Sequence, residues 1–553
     1  MNPILKYLVF LLLGIFSNTL ISQSTWSQFL GANGGIRTGF AFYKNNNGSD
    51  LTSPLSYYIS GSANVKIGSI DLPFSITYRD HNYSFSRPYI HMGVSPTFKS
   101  TTFHIGYRNM TFSPYTLSGI TFLGAGFESN PGKLRLAGMY GRFQNPYAQR
   151  DTIVFGSEQI PTYNRKGYAG KIGYGSNKNH VDLIYFRAYD DINSIDTELQ
   201  PSAYDLRPQD NVGIGLNVQF RLSKRVDFKI NSAASIFTND ANFDKITLDE
   251  EWEKKLNSFF NLNGSTRVSY AGDASININF NKYRTSFKYK RIAPFFNSLG
   301  SYFLQNDIEE YTFQLSGMIS KPLRFNSTVG IQRNNLDNRR SAKMNRLIVS
   351  ANIRYNPKGP FNASVQYNNF DITNQPTVIE ENDSLKLVRV MRQIRVSPSY
   401  RIKGKNMDHN IGLAISRRGV STTIFNTDRV TGNNYIALRY NTKYKPLNIS
   451  FGGNLSYNKS ELISSNRGRL GGNLNSRKQF MNKKLNLGIN LGYYENSIDG
   501  KKEGNTLRSM LTSSYQIRKK QRINISVGYS SRSSSIGNKF NNIRGRVDYS
   551  LSL

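Results

Sequence analysis

Cysteine is absent from the 553 residues, which excludes disulfides, thiolate zinc sites, iron–sulfur clusters and cysteine nucleophiles. An exported protein need not be cross-linked, so the compartment stays open on this ground. Histidine is scarce: His81, His91, His104, His180 and His409 complete the set, none at metal-ligand spacing, and no G-x-S-x-G elbow occurs. Gly126 to Lys133 has five residues between its glycines where a phosphate loop has four, and Leu134 stands where the magnesium-binding hydroxyl belongs. It reads as a turn. No enzymatic activity, cofactor or metal is expected. Long apolar runs are also missing, since nothing approaches the roughly 20 residues of a spanning helix. Acidic residues number 36 against 71 Lys and Arg, a net charge of +35. The basic residues are dispersed and accompany no helix-turn-helix or zinc-finger pattern, so nucleic acid is not an expected partner.

What is present is a mixture of 34 Tyr, 34 Phe and 45 Gly with only 38% hydrophobic residues, which suits strands apolar on one face and polar on the other. The first residues read as an address. Lys6 precedes the apolar run Tyr7 to Phe16, polar Ser17 to Thr19 follow, and Ser22-Gln23 offers a small residue for cleavage. Residues 1–22 are therefore expected to be a signal peptide and 23–553 one continuous architecture.

From about residue 34 onward the dominant signal is period-two alternation. Val212, Ile214, Leu216, Val218, Phe220 and Leu222 are separated by Gly213, Gly215, Asn217, Gln219 and Arg221; Leu485 to Tyr493 and Ile523 to Tyr529 repeat the pattern. Short turns (223–225, 356–360, 403–405, 482–484, 518–521) alternate with longer polar stretches (143–166, 190–210, 237–263, 417–431), the asymmetry of outer-membrane barrels. Tyrosines fall into two levels. Tyr367, Tyr457, Tyr493 and Tyr529 lie toward one end of their strands, and Tyr355, Tyr400, Tyr440, Tyr515 and Tyr549 toward the other. Two interfacial girdles around an apolar band would select this placement. Val547, Tyr549, Leu551 and Leu553 alternate to the end, similar to the terminal strand signal by which such barrels are assembled, though ending in Leu instead of an aromatic.

The expected fold is all-β: a single large antiparallel transmembrane β-barrel of about 26 strands, range 22 to 26. It carries one short helix in an outer loop and has both termini on the periplasmic side of a bacterial outer membrane. The helix is expected over 247–260, where Thr247 and Glu250 have capping-box spacing and Leu248, Trp252, Leu256 and Phe259 share a face.

Charge is patterned. Basic residues crowd the short turns (Lys224, Arg225, Lys483, Lys484, Lys519, Lys520) and acidic ones the long loops (Asp190, Asp191, Glu250, Glu251); solvation and attraction to anionic headgroups account for the first. If Val388, Val390, Ile394, Val396 and Ile402 face lipid, then Arg389, Arg395 and Arg401 face the lumen, as do Arg221 and Arg354 on other strands. A basic lumen favours anionic solutes; polar barrel interiors in which arginines pair with acidic loop residues are the plain alternative.

The segment Arg108 to Phe127, RNMTFSPYTLSGITFLGAGF, with Gly141 to Phe143, resembles segments of outer-membrane β-barrel proteins of Bacteroidota, porin-like or transport barrels. The resemblance covers less than a tenth of the chain and implies a location rather than an activity. Within it Phe112 to Gly119 breaks the alternation, either as a loop folded into the lumen or as an ordinary outer loop. The function expected is a channel or a transport or export barrel whose lumen is partly filled by its own loops or by a partner. The alternative is a non-conducting structural or adhesive surface protein displaying long loops. Expected partners are outer-membrane lipid and lipopolysaccharide, the outer-membrane assembly machinery, and a plugging lipoprotein or periplasmic protein.

Overall fold

The computed structural model describes residues 30–46, 55–79, 91–148, 161–195, 206–244, 262–301, 304–376, 387–424, 427–535, 537 and 539–552. Alternating side chains make strands almost throughout. The first nine are β1 Leu30–Asn45, β2 Leu55–Ile67, β3 Ile70–Arg79, β4 His91–Val94, β5 Thr97–Phe98, β6 Thr101–Asn109, β7 Thr121–Ser129, β8 Leu134–Gln144 and β9 Asn164–Gly175. Next come β10 His180–Asp191, β11 Asp210–Arg221, β12 Val226–Thr238, β13 Thr266–Asn279, β14 Tyr283–Ile292, β15 Ile308–Ser320, β16 Leu323–Asn334, β17 Ala342–Tyr355 and β18 Phe361–Pro376. The series ends with β19 Leu387–Lys403, β20 Met407–Ile424, β21 Thr427–Tyr444, β22 Ile449–Glu461, β23 Asn466–Phe480, β24 Leu485–Ile498, β25 Lys501–Arg518, β26 Gln521–Arg532 and β27 Phe540–Ser552.

Each strand pairs antiparallel with its neighbours, and β27 pairs with β1 from Gly35↔Ser552 to Asn45↔Asn542, closing the sheet. β4 and β5 are halves of one stave, because both lie between β3 and β6 and are interrupted at Ser95-Pro96; proline has no N–H for the ladder. The barrel thus has 26 staves. Closure leaves no row of unpaired backbone groups, the condition for a sheet in lipid. An order-of-magnitude circumference follows from strands about 4.8 Å apart tilted by about 40°, giving a backbone diameter of about 50 Å if circular.

One face of the wall carries bare apolar side chains. On β24 Leu487, Ile489, Leu491 and Tyr493 are exposed, and on β11 Ile214, Leu216 and Phe220. This is the outward face. Tyr355, Tyr400, Tyr440 and Tyr515 lie on it near one end, and Tyr367, Tyr457 and Tyr493 nearer the other, all exposed. Beyond Tyr493 the same face continues with Glu495, which pairs with Lys502. Eight residue steps from Leu485 to Tyr493 at a tilt of about 40° span about 20 Å, close to the apolar band of outer-membrane barrels.

Connections at one end are two to five residues long, and at the other they reach the 27 residues of 239–265. Every short turn expected from the sequence falls at the first end, and residues 130–133, the end of the phosphate-loop-like stretch, form another. The stretch 417–431 is a correction: β20 continues to Ile424 and β21 starts at Thr427. Arg417, Arg418 and the threonines read as loop because a wall that rises past the apolar band is polar on both faces. The helix expected over 247–260, with Leu248, Trp252, Leu256 and Phe259, lies outside the described residues, as does the signal peptide. Helical structure among the described residues is a single 3-10 turn, Ile192–Ser194.

Candidate functional site: a lumen with two unlike walls

Two connections from the long-loop end fold inward against the wall. Residues 110–120 join β6 to β7, and 293–307 join β14 to β15. Phe112, Tyr115, Thr116, Leu117 and Ile120 are all at most 5% exposed. They pack, with Phe296 and Leu299, on Phe122, Met139, Ile184, Phe186, Ala233 and Ala271 of the inner face. Burial of these side chains is the hydrophobic driving force, and it occurs inside the barrel because the outward face of the same strands is bare. Phe112 to Gly119, left open by the sequence, is a lumenal loop.

Polar contacts fix both loops in place. Asn217 Nδ2 donates to the Phe112 carbonyl (2.9 Å), and the Tyr115 hydroxyl donates to Asp273 Oδ1 (2.7 Å). Ser235 Oγ donates to the Asn297 carbonyl (2.7 Å), Ser269 Oγ to the Pro294 carbonyl (2.9 Å), and the Leu299 N–H to Asn211 Oδ1 (3.0 Å). The loops also bind one another, through Ser118 N–H to the Gly300 carbonyl (2.8 Å) and Ser298 Oγ to the Thr116 carbonyl (2.7 Å). A Cβ on Gly300 would stand 2.0 Å from the Thr116 oxygen, so only glycine passes at this crossing. Burial raises the pKa of the Tyr115 hydroxyl, and the Asp273 hydrogen bond adds to the rise; Tyr115 remains a neutral donor.

The covered wall, β6 to β15, carries carboxylates among its cations and several of them pair, while Lys171, Lys229 and Lys290 on the same inward face have no ion-pair partner among the described residues. Arg135 Nε meets Asp182 (2.7 Å), Arg165 Nε meets Asp190 (2.7 Å) and Lys288 Nζ lies 3.6 Å from Asp273. The wall from β16 to β27 differs. Its inward face holds a guanidinium on every strand except β18, β22 and β24, against two carboxylates in regular register, Asp408 and Asp548. Both are engaged: Asp408 with Lys445 (2.9 Å), and Asp548 with Arg37 and Arg546 (2.8 Å each) and the Tyr58 hydroxyl. Among the described residues, Arg324, Arg354, Arg401, Arg439, Arg477 and Arg544 have no ion-pair partner.

The residues named from sequence distribute unevenly over these walls. Arg389, Arg395 and Arg401 share the face of β19 that bears Gln393, Ser397 and Ser399, opposite exposed Ile394, Tyr400 and Ile402. Arg354 on β17 stands directly across from Arg324 on β16, two like charges side by side. Arg221 is different, because its Nε is bound to Asp227 Oδ1 at 2.7 Å beside the short turn, which cancels it as a bare cation. Sequence reasoning missed the continuation of the row around the barrel. The upper group is an example: Arg469 stacks its guanidinium 4.1 Å from the Tyr494 ring centroid and lies in electrostatic reach of Arg508 and Arg532. Alternation on β23, β25 and β26 held the signal, since each of these arginines sits in phase with Asn and Ser and out of phase with Leu and Ile.

No protein-family model matches the chain, and no curated protein matches it significantly. Solved structures similar in fold are large barrels. The translocation pore of the P pilus usher PapC is 11% identical over 95% of this chain and all of that one, with a TM-score of 0.36. The copper transporter OprC is 8% identical over 95% of this chain and 81% of its own, at 0.41. The FrpB iron transporter from Neisseria meningitidis is 12% identical over 96% of this chain and 83% of its own, at 0.34. At such identities and scores the likeness carries no statement about cargo.

Proposed function

We propose that the protein is an outer-membrane transport barrel that passes anionic solutes along its arginine-lined half, with loops 110–120 and 293–307 as a built-in partial filling. The apolar outward band between two tyrosine levels supports the membrane, and the short turns, at the end of the barrel where β1 begins and β27 ends, support a periplasmic orientation of that end. The observation that carries the reading is the contrast between the two walls. Where the loops cover the wall, Glu128, Asp182, Asp190, Asp227 and Asp273 stand among the cations and small or apolar residues face inward. Where no described loop covers the wall, guanidiniums face the lumen with only Asp408 and Asp548 among them. A protein that needed only a polar lining would use Asn and Ser, which this wall also has. Uncompensated cations in a low-dielectric wall instead raise the local concentration of anions. Without the loops, the lumen of a barrel whose backbone is about 50 Å across would leak indiscriminately.

Single-channel recording of the refolded full-length barrel in a planar bilayer tests the proposal. Discrete steps with a reversal potential displaced toward the anion are expected. A correctly folded barrel that stays silent would refute open passage and leave display of the long loops, or a partner occupying the lumen, as the account of this chain.

A further inference from the structure

The outward face carries a charged cluster that the transport reading does not use. On three adjacent strands the register sets Arg291, Glu309 and Arg333 side by side, above the row Tyr289, Tyr311 and Ile331, above the row Phe287, Phe313 and Val329. Each step of two residues climbs about 5 Å along the membrane normal at a tilt of about 40°. The charged row therefore sits just past the aromatic level on the long-loop side, where headgroups begin. Glu309 is the organiser. Its side chain is 3% exposed and receives the Tyr289 hydroxyl (2.8 Å), Arg291 Nη1 (3.5 Å) and the guanidinium of Arg333.

Arg291, Arg333 and Lys343 line a cavity of about 140 Å³ together with Asn334, Leu336 and Asn338. Lys343 has the outward parity of Leu347 and Val349 on β17. Three cations against one carboxylate leave this cluster a net two positive charges; of the acids on the adjoining loops, Asp307 is bound to Arg340 (2.7 Å) and Asp337 lines a separate cavity with Arg267 and Arg339. Two guanidinium forks fixed by a shared carboxylate, an ammonium and side-chain amides match a phosphate monoester, whose oxygens accept several charge-assisted hydrogen bonds.

We propose that this cavity binds a phosphate of an outer-leaflet lipid of the lipid A type, with Arg291 and Arg333 as ligands and Glu309 as the positioning residue. Its height selects a lipid: acyl chains of a molecule held there would lie along exposed Phe287, Phe313, Val329 and Ile331. A second phosphate-bearing source, the free anion, would gain nothing from that surface.

Native mass spectrometry of the delipidated full chain in detergent distinguishes the two, with bisphosphorylated lipid A, fully dephosphorylated lipid A and sodium phosphate as probes. Wild type is expected to bind the phosphorylated lipid at least about tenfold more tightly than the dephosphorylated one, and R291Q/R333Q to lose most of that preference. Equal binding of both lipids, or unchanged preference in the double variant, overturns the proposal. So does sodium phosphate binding as tightly as the lipid, which would assign the cavity to a free anion. Should the double variant fail to fold, K343Q, outside the carboxylate-centred triad, is expected to weaken the phosphorylated lipid by about threefold, and no change there is equally fatal.

Discussion

Replacing Arg324, Arg354 and Arg401 together by Gln removes three neighbouring inward charges at the short-turn end without touching an ion pair. Arg324 and Arg354 are register partners on β16 and β17, and Arg401 lies two strands on. An ion passing about 10 Å from the wall in water-like dielectric feels about 0.4 kcal/mol from each, reduced to about 0.15 kcal/mol by screening in 0.1 M salt. Three such charges favour an anion and disfavour a cation by about 0.45 kcal/mol each. The permeability ratio of anion to cation should fall about four- to fivefold in the triple variant, read from reversal potentials across a salt gradient. In 1 M salt, where the Debye length is about 3 Å, the same substitutions should change the ratio by only about 1.2-fold. An unchanged ratio at low salt would refute the reasoning, because it would mean that ions do not travel along this wall. An equal change at both salt concentrations would point to altered structure instead of a lost field.

Three further perturbations separate the faces and the loops. Leu491→Arg puts a charge in the middle of the outward band and should destabilise the folded barrel by about 2–4 kcal/mol, whereas Asn490→Arg on the inward face should cost little; denaturant titration in lipid checks both, and equal costs would contradict the assignment of faces. Gly300→Ala drives a methyl into the Thr116 carbonyl and should dislodge the crossing of the two lumenal loops at a cost of about 1–3 kcal/mol, seen as new protease cleavage within 110–120 and as noisier current. Asp548→Asn weakens a clasp that joins β27 to Arg37 on β1 and Tyr58 on β2, and should lower the temperature at which the barrel unfolds in detergent, with faster hydrogen exchange at the seam than elsewhere.

Much of the architecture was legible because a barrel wall imposes a period of two that few other structures sustain. The runs at 212–222, 485–493 and 523–529 name their own faces, and turn chemistry separates the two ends. Two features were less visible. The inward loop at 112–119 shows in sequence only as broken alternation, which any loop produces. Its stronger mark lies elsewhere, in strands whose inward positions are small or apolar: Ala137 and Met139, Ile184 and Phe186, Gly213 and Gly215, Ala233, Ala271. Such a wall has no reason to be apolar on both sides unless something covers it. The arginine row was visible on β19, where three guanidiniums recur on one strand; β23 repeats this with Arg467, Arg469 and Arg477, and the continuity of the row from strand to strand shows only when register aligns them. Arg221 and Arg389 look alike in sequence; only the fold brings Asp227 beside one of them.

Because the chain has no cysteine, the half-open lumen is directly testable by single-cysteine labelling of the folded barrel in lipid. Ser526→Cys on the arginine-lined wall, Ser235→Cys beneath the 293–307 loop and Val527→Cys on the outward face form the set. A charged, membrane-impermeant thiol reagent should modify Cys at 526 quickly and at 235 and 527 at most slowly, while a lipid-soluble reagent should reach 527. Rapid labelling at 235, or protection at 526 equal to that at 527, would contradict a lumen closed on one side and open on the other.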